Sequence, residues 1–318
     1  MNNPTDVTIN IADQREWLKE YKASTGLSWA QIGPPMEINP TTLSLFAGDK
    51  YNGRNQDLAE KIFRYRQTLQ QRAEFKVLAP DIPHFYETKT SNEIMSLLGW
   101  ARRGRIVRIV GGAGIGKTRS LQEYRDRTSN VHIVTMQPRI NTVSQLSYAV
   151  LKAMRISGPS GVGARVGDYV EASLKGTQSL LAIDEAQHCS LLQLEQLRGW
   201  YDACEGTIGL ALVGNEEVIT RIDGGRQAKF AQLYSRIGMS LTRQVPLAAD
   251  VEAMLDAWSI HDEPVAKLMR ELARKPGGLR GATFTLEVAV TLARGSNEEL
   301  SVRHVQEAWA QLSSRAPV

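Results

Sequence analysis

Cysteine is scarce in this 318-residue chain, which has only Cys189 and Cys204. Neither has metal-ligand spacing, so a cysteine metal site and a disulfide framework are both excluded, and two reduced thiols in a cytosolic protein are expected. Long apolar runs are missing too: none approaches the roughly twenty residues that a membrane span needs. The first residues, Met1-Asn-Asn-Pro-Thr-Asp6, carry neither a basic stretch nor an apolar core, so no secretory signal is expected there. There is no internal repeat and no low-complexity tract. Charge of one sign is not in large excess, at a formal net +4. That balance permits nucleic-acid binding without demanding it, because local clustering counts for more than the sum. The length leaves room for two or three domains, one with a sizeable core.

One stretch organises what is present. Gly111-Gly112-Ala113-Gly114-Ile115-Gly116-Lys117-Thr118 fits G-x-x-x-x-G-K-[ST], the Walker A or P-loop pattern. The β-branched run Arg105–Val110 precedes it as a buried strand would. Arg119–Arg125 follows with helical spacing, Leu121 and Tyr124 sharing a face. The glycines let the backbone curl so that successive N–H groups aim at phosphate oxygens, at a helix N-terminus that adds partial positive charge. Lys117 is placed to reach the β- and γ-phosphates, and the Thr118 hydroxyl to ligate Mg²⁺. A glycine-rich turn that binds nothing would not need the strand, helix, Lys and Thr together. ATP is the expected ligand, with Mg²⁺.

Ser179-Leu-Leu-Ala-Ile-Asp-Glu185 is the second signal, an apolar strand ending in paired carboxylates as in Walker B. Asp184 is the candidate Mg²⁺ holder and Glu185 the candidate general base or water-positioning group. Ile208–Asn215 is another buried strand ending on a polar residue, and Asn215 matches the sensor-1 position of AAA+ ATPases. Phe230–Ile237 reads as a helix carrying Arg236, which has the location of an arginine finger reaching a neighbouring subunit's nucleotide. Arg221, Arg226 and Arg243 compete for that role. Ser240–Val245 closes the sheet. Arg280, in Gly277-Gly-Leu-Arg280 at a helix start, sits where a sensor-2 arginine would contact the γ-phosphate; a surface arginine is the plainer alternative.

Candidate DNA contacts fall in two places. In the N-terminal segment, Gln14–Tyr21 reads as a helix ended by Gly26, and Ser28 caps a short second helix. Asn39 caps a third with Pro40 at its first position and Gly48 closing it in the left-handed conformation. A longer helix runs from Asp57 to Lys76. This order resembles a helix-turn-helix, with Leu43 and Phe46 inward, Thr41, Thr42 and Ser44 facing a groove, and Lys50, Tyr51 and Arg54 meeting phosphates. Pro34-Pro35 falls where the second helix should continue, so that helix is cut short or displaced. A helical bundle for protein contacts is the alternative. The second place is the polar loop Gln137–Thr142, in which Arg139, Asn141 and Thr142 would track a DNA backbone; an ordinary capped loop is equally compatible. Arg102, Arg103, Arg105 and Arg108 form a basic cluster, either a solvated helix end or phosphate contacts. Phe85–Thr88 would pack near a nucleotide base or in plain core, and Thr90 or Ser91 is expected to cap the helix that follows. The glycine-rich run Ser157–Gly163 lacks a following Lys-Ser/Thr and is not a second phosphate loop.

The expected domains are a helix-turn-helix-like segment over 1–76, a proline-marked linker over 77–84, an ATPase core over 85–245, and a lid of four helices over 246–318. The fold class is α/β: a P-loop NTPase core of the AAA+ kind with a parallel sheet, a C-terminal helical lid and a small all-α N-terminal domain.

Asp49–Gly53, Tyr86-Glu-Thr88, the P-loop, Ile183–Ala186, Val213-Gly-Asn215, Tyr234–Ile237 and Lys275–Arg280, in that order, resemble the phage Mu B-like transposition proteins. These are AAA+ target-selection ATPases related to the TnsC-like regulators. The resemblance covers most of the chain; the proline pair departs from it. It implies ATP-bound subunits assembled head-to-tail as helical filaments on double-stranded DNA, largely without sequence preference. It also implies delivery of that DNA to a DDE transposase, stimulation of strand transfer, and disassembly on hydrolysis. Lys117, Asp184 and Asn215 would act in cis and Arg236 from the neighbour, in a bacterial or phage-infected host cytoplasm. A helicase-loader ATPase and a nucleotide-gated signalling ATPase without a DNA role remain the competing classes.

Overall fold

In a computed structural model, residues 9–78, 80–81, 84–159, 164–218 and 235–313 are described. The chain divides into two compact units, Met1–Pro80 and Asp81–Val318. Pro83, the end of the Ser157–Gly163 run, Arg221, Arg226 and the Phe230–Tyr234 run lie outside the described residues.

The first unit is helical. The Asn10 side chain caps α1 (Ile11–Thr25) by accepting from the Ala12 and Asp13 N–H groups, and Gly26 ends it at φ 66°. α2 (Trp29–Ile32) is a single turn. The proline pair cuts it there, since proline brings no N–H to an α-helical ladder, and the chain continues as a 3₁₀ turn, Pro34–Met36, with Glu37 left-handed. α3 (Pro40–Ala47) is capped by Asn39. Its closure differs from the expectation by one residue. Gly48 has φ −87°, and Asp49 takes the left-handed position at φ 56°. The Lys50 N–H then reaches back to the Leu45 carbonyl, a Schellman-type closure. Asp49 is held in place by Arg15 at 2.7 Å. α4 (Asn55–Leu78) runs two residues into the expected linker. Leu18, Leu43, Phe46 and Ile62 are fully buried and form the centre of the unit's core.

The second unit is built on five parallel strands: β1 (Ile106–Gly111), β2 (Val131–Thr135), β3 (Leu180–Asp184), β4 (Gly209–Gly214) and β5 (Ile237–Arg243). Their order is β2-β3-β4-β1-β5. Parallel strands need crossovers that cover both faces, so the central strands read as continuous apolar runs. Side chains nevertheless alternate between two cores. Ala211 and Val213 meet Ile94, Leu98 and Leu121 from α5 (Lys89–Arg102) and α6 (Lys117–Arg127). Leu210 and Leu212 meet Leu146, Val170 and Leu197. Those three come from α7 (Val143–Ala153), α8 (Ala164–Leu174) and α9 (Leu191–Ala203). Each Val, Leu or Ile side chain taken fully out of water in this way contributes about 1.5–3 kcal/mol.

Four helices complete the unit: α10 (Ala248–Ala257), α11 (Glu263–Leu272), α12 (Gly278–Gly295) and α13 (Val302–Ser313). They close over Met254, Val265, Met269, Leu286 and Val305, with Tyr86 packed against this cluster. α5 is capped by Thr88, not by Thr90 or Ser91. The Thr88 hydroxyl accepts from the Ser91 N–H at 2.9 Å, and the Ser91 hydroxyl oxygen accepts from the Thr88 N–H at 2.8 Å. Thr90 is committed elsewhere. Its N–H and hydroxyl donate to the buried Asp250 carboxylate of α10 at 2.8 and 2.5 Å. Among the described residues no helix is long and apolar enough to cross a membrane.

Candidate nucleotide site

Because the strands are parallel, the loops after β1, β3 and β4 open on one edge of the sheet, where open α/β folds bind their ligands. Gly111 is the last residue of β1, and the Gly112 N–H is fixed by the Arg243 carbonyl at 3.0 Å. Gly114 and Gly116 have φ of 80° and 95°, a region that side-chain-bearing residues rarely adopt. At Gly114 a second constraint applies: a Cβ would collide with the Gly277 carbonyl. The lid approaches the loop at that point, the Leu279 N–H donating to the Gly114 carbonyl at 3.1 Å. Ala113, exposed, precedes these two glycines, and Ile115 between them is buried. α6 then starts at Lys117, which leaves first-turn N–H groups open to the loop.

The ionisable groups gather around this loop. Lys117 Nζ donates to the Gly111 and Gly112 carbonyls at 2.6 and 2.8 Å. Burial pulls its pKa down; the Glu185 and Asp184 carboxylates oppose that shift, and the Arg280 charge adds to it. The Thr118 hydroxyl donates to Asp184 Oδ2 at 2.8 Å. Burial pushes the Asp184 pKa up, against the Thr118 hydrogen bond. Glu185 follows with φ 55°, its N–H donating to Asp184 Oδ1 at 3.1 Å. Asn215 stands just beyond β4 and its side-chain oxygen accepts from the Glu217 N–H at 3.0 Å. Arg280 is in the first turn of α12. A hydroxyl and a carboxylate in contact beside a left-handed glycine loop form an oxygen donor set suited to a hard divalent cation and a triphosphate. The residues present therefore fit ATP with Mg²⁺. Lys117, Thr118, Asp184, Glu185, Asn215 and Arg280 all belong to this edge.

Arg236 does not. It is in a turn leading into β5 rather than on a helix in the described residues, and Ile237 pairs with Ile106 at the start of β1. The seven-residue β5 separates it from the loop edge by roughly 20 Å. Its Nε donates to Asp202 Oδ1 at 2.7 Å, and Arg198 holds the other oxygen of that carboxylate at 2.7 Å. Arg243, a competitor for the finger role, pairs with Glu93 of α5 at 2.6 Å within the same subunit.

The candidate DNA residues form two separate groups. In the first unit Thr41 and Lys50 are exposed, and Thr42 and Ser44 half-buried. In the second, Arg139, Asn141 and Thr142 are exposed. The Thr142 hydroxyl also accepts from the Gln145 N–H at 3.2 Å, capping α7, so the loop is a capped one whatever else it touches.

Two residues absent from the sequence reading complete the picture. Gln193 is fully buried. Its Nε2 donates to the Ile140 and Thr142 carbonyls at 3.0 Å each, and its Oε1 accepts from the Ser190 N–H at 2.8 Å, bracing the 137–142 loop from α9. Gln187, also buried, donates to Glu185 Oε2 at 2.5 Å. Its one sequence signal is position, two residues beyond the paired carboxylates.

The chain is similar to known proteins along most of its length. An AAA-domain family profile matches residues 101–222. The profile described as Mu B transposition protein, C terminal, matches residues 235–312. The chain is 32% identical over 312 residues to the ATP-dependent target DNA activator B of Escherichia phage Mu, covering 96% of each. It is also 32% identical over 272 residues to the Mu-like prophage FluMu DNA transposition protein B of Haemophilus influenzae, covering 84% of this chain and 93% of that one. Among solved structures, a Drosophila ORC–DNA complex superposes with a TM-score of 0.52 at 16% identity, over 75% of this chain and 64% of that chain. A Walker-type ATPase of Pyrococcus abyssi superposes with a TM-score of 0.50 at 13% identity, over 72% and 73%. The solved structures share the fold. The AAA profile, with the Walker residues assembled on one strand edge, makes the second unit an ATP-hydrolysing AAA+ core, and the identity to curated relatives along nearly the whole length decides its kinship: the chain belongs to the Mu B transposition protein family.

Proposed function

We propose that this protein is an ATP-dependent activator of target DNA in transposition, binding duplex DNA as an ATP-bound assembly and releasing it on hydrolysis. The observation that carries the reading is the Thr118–Asp184–Glu185 cluster at the P-loop edge, in a chain alike over 96% of its length to a target DNA activator.

The P-loop N–H groups and Lys117 bind the phosphates of ATP, and Thr118 with Asp184 holds Mg²⁺. The ion supplies charge neutralisation on the phosphate oxygens when bound. Glu185 accepts a hydrogen bond from the attacking water and orients it. Asn215 and Arg280 flank the terminal phosphate from β4 and from the lid. Arg236 stands at the opposite end of β5, so it acts on the nucleotide of an adjacent subunit. A donor at one end of the molecule and an acceptor site at the other define a heterologous interface, which propagates as a helical filament when it does not close. Arg139, Asn141 and Thr142 contact the DNA backbone, and Thr41, Thr42, Ser44 and Lys50 form a second, helix-turn-helix-like contact. The filament presents its DNA to a DDE transposase and stimulates strand transfer.

Fluorescence anisotropy with a labelled duplex tests this. Tight binding with ATP or a slowly hydrolysed analogue, weak binding with ADP, and a steep fall with salt are expected. Duplex binding indifferent to the nucleotide overturns the reading.

A further inference from the structure

The Gln187 side chain forms a two-ended bridge at the reacting edge. Its Nε2 donates to Glu185 Oε2 at 2.5 Å, and its Oε1 accepts from the Asn215 N–H at 3.3 Å. The carboxamide is almost wholly buried, at 5% exposure. It sits against the end of β4, where a Cβ on Gly214 would collide with Gln187 Oε1 and Val218 Cγ2. The glycine at 214 is thus what lets the carboxamide lie between the two strand ends. Glu185 itself has φ 55°, so its side chain leaves the backbone from a sparsely populated conformation that surrounding contacts must sustain.

We propose that Gln187 is a positioning residue for ATP hydrolysis, holding the Glu185 carboxylate by one oxygen and tying it to the strand end that carries Asn215. The hydrogen bond to Oε2 restrains the carboxylate, and Oε1 remains to accept from water. The bridge also makes the water-orienting carboxylate and the strand end that carries Asn215 move together, since displacement of the β4 end pulls on the carboxamide that orients Glu185. Such a residue acts on the transition state far more than on nucleotide binding, so its loss falls on kcat rather than KM. The inference rests on Glu185 as the water-orienting group.

The test is steady-state ATP turnover with duplex DNA for Gln187→Met, Gln187→Glu, Gly214→Ala and Glu185→Gln, with thermal melting of each. Gln187→Met keeps the shape and removes both hydrogen bonds; about a tenfold fall in kcat is expected, with KM for ATP within about twofold of wild type. Gln187→Glu replaces the donor with a like charge beside Glu185, and a larger kcat loss is expected. Gly214→Ala displaces the carboxamide without removing it, and should reproduce the kcat-specific loss should Gln187→Met melt early. Wild-type kcat in Gln187→Met and Gly214→Ala, or a KM rise accounting for the whole loss, overturns the assignment. Glu185→Gln separates the two levels: wild-type turnover there removes the water-orienting reading, whereas loss there with full activity in the Gln187 variants removes the bridge alone.

Discussion

The Thr118 hydroxyl donates to Asp184 Oδ2 across 2.8 Å, joining residues 66 positions apart, one in the first turn of the helix that follows β1 and the other at the end of β3, a strand not adjacent to β1. β4 lies between β1 and β3 in the sheet, so this contact closes a crevice over the β4 end. The crevice is where the P-loop and the paired carboxylates become one site.

Asp184 is held there at a cost. Its folded pKa is raised by burial, so between its ordinary value and the raised one the folded state binds the extra proton. Stability then falls as pH rises through that window, and the ionised group is a liability at neutral pH. Asp184→Asn retains partners for the Glu185 N–H and the Thr118 hydroxyl. It should abolish turnover, by about 100-fold or more, yet melt at a higher temperature than wild type at pH 7. The gap should close on acidification below the window. Melting curves across pH check this, and a lower melting temperature at pH 7 contradicts it.

Asp250 of α10 fastens the lid to α5. Its buried carboxylate accepts from the Thr90 N–H, the Thr90 hydroxyl and the Leu247 N–H. Asp250→Ala strands two buried donors and one half-buried donor and should cost about 3 kcal/mol or more, read as a lower denaturation midpoint. Asp250→Asn, which retains one acceptor oxygen, should cost less.

Arg236 and the P-loop occupy opposite ends of the sheet, which predicts complementation. Arg236→Ala and Lys117→Ala should each be inactive alone. Mixed in equal amounts, about a quarter of heterologous interfaces pair an intact P-loop with an intact arginine, and turnover should return in proportion. No recovery places Arg236 outside the neighbour's site.

The loop after β2 predicts a salt signature. Arg139→Ala should weaken duplex binding and reduce the slope of log affinity against log salt by about 1. Gln193→Met, which removes the brace under Ile140 and Thr142, should weaken duplex binding several-fold in the same assay. An unchanged slope in Arg139→Ala removes that loop from the DNA surface.

The local parts of this site were legible because their signals are local. A β-branched strand, glycines at fixed offsets and a Lys-Thr pair need only neighbours in sequence, and so does an apolar run ending in Asp-Glu. In the sequence Thr90 looks like any capping threonine; its true partner, Asp250, is 160 residues away. The left-handed position falls on Asp49 rather than on Gly48 because Arg15 of another helix supports it there, a contact that local sequence does not carry. Gln187 and Gln193 gave no pattern, since a buried carboxamide declares its role only through the main-chain groups that three-dimensional packing brings to it. The strand order was equally silent, being set by which apolar faces pack.

In the proposed function, ATP binding at this edge builds an assembly on duplex DNA. Electron microscopy of the protein with long duplex DNA, in ATP, a slowly hydrolysed analogue and ADP, tests it most directly. Helical filaments with both triphosphates and none with ADP are the predicted result. Closed rings or single particles that ignore the duplex in every nucleotide would contradict the account.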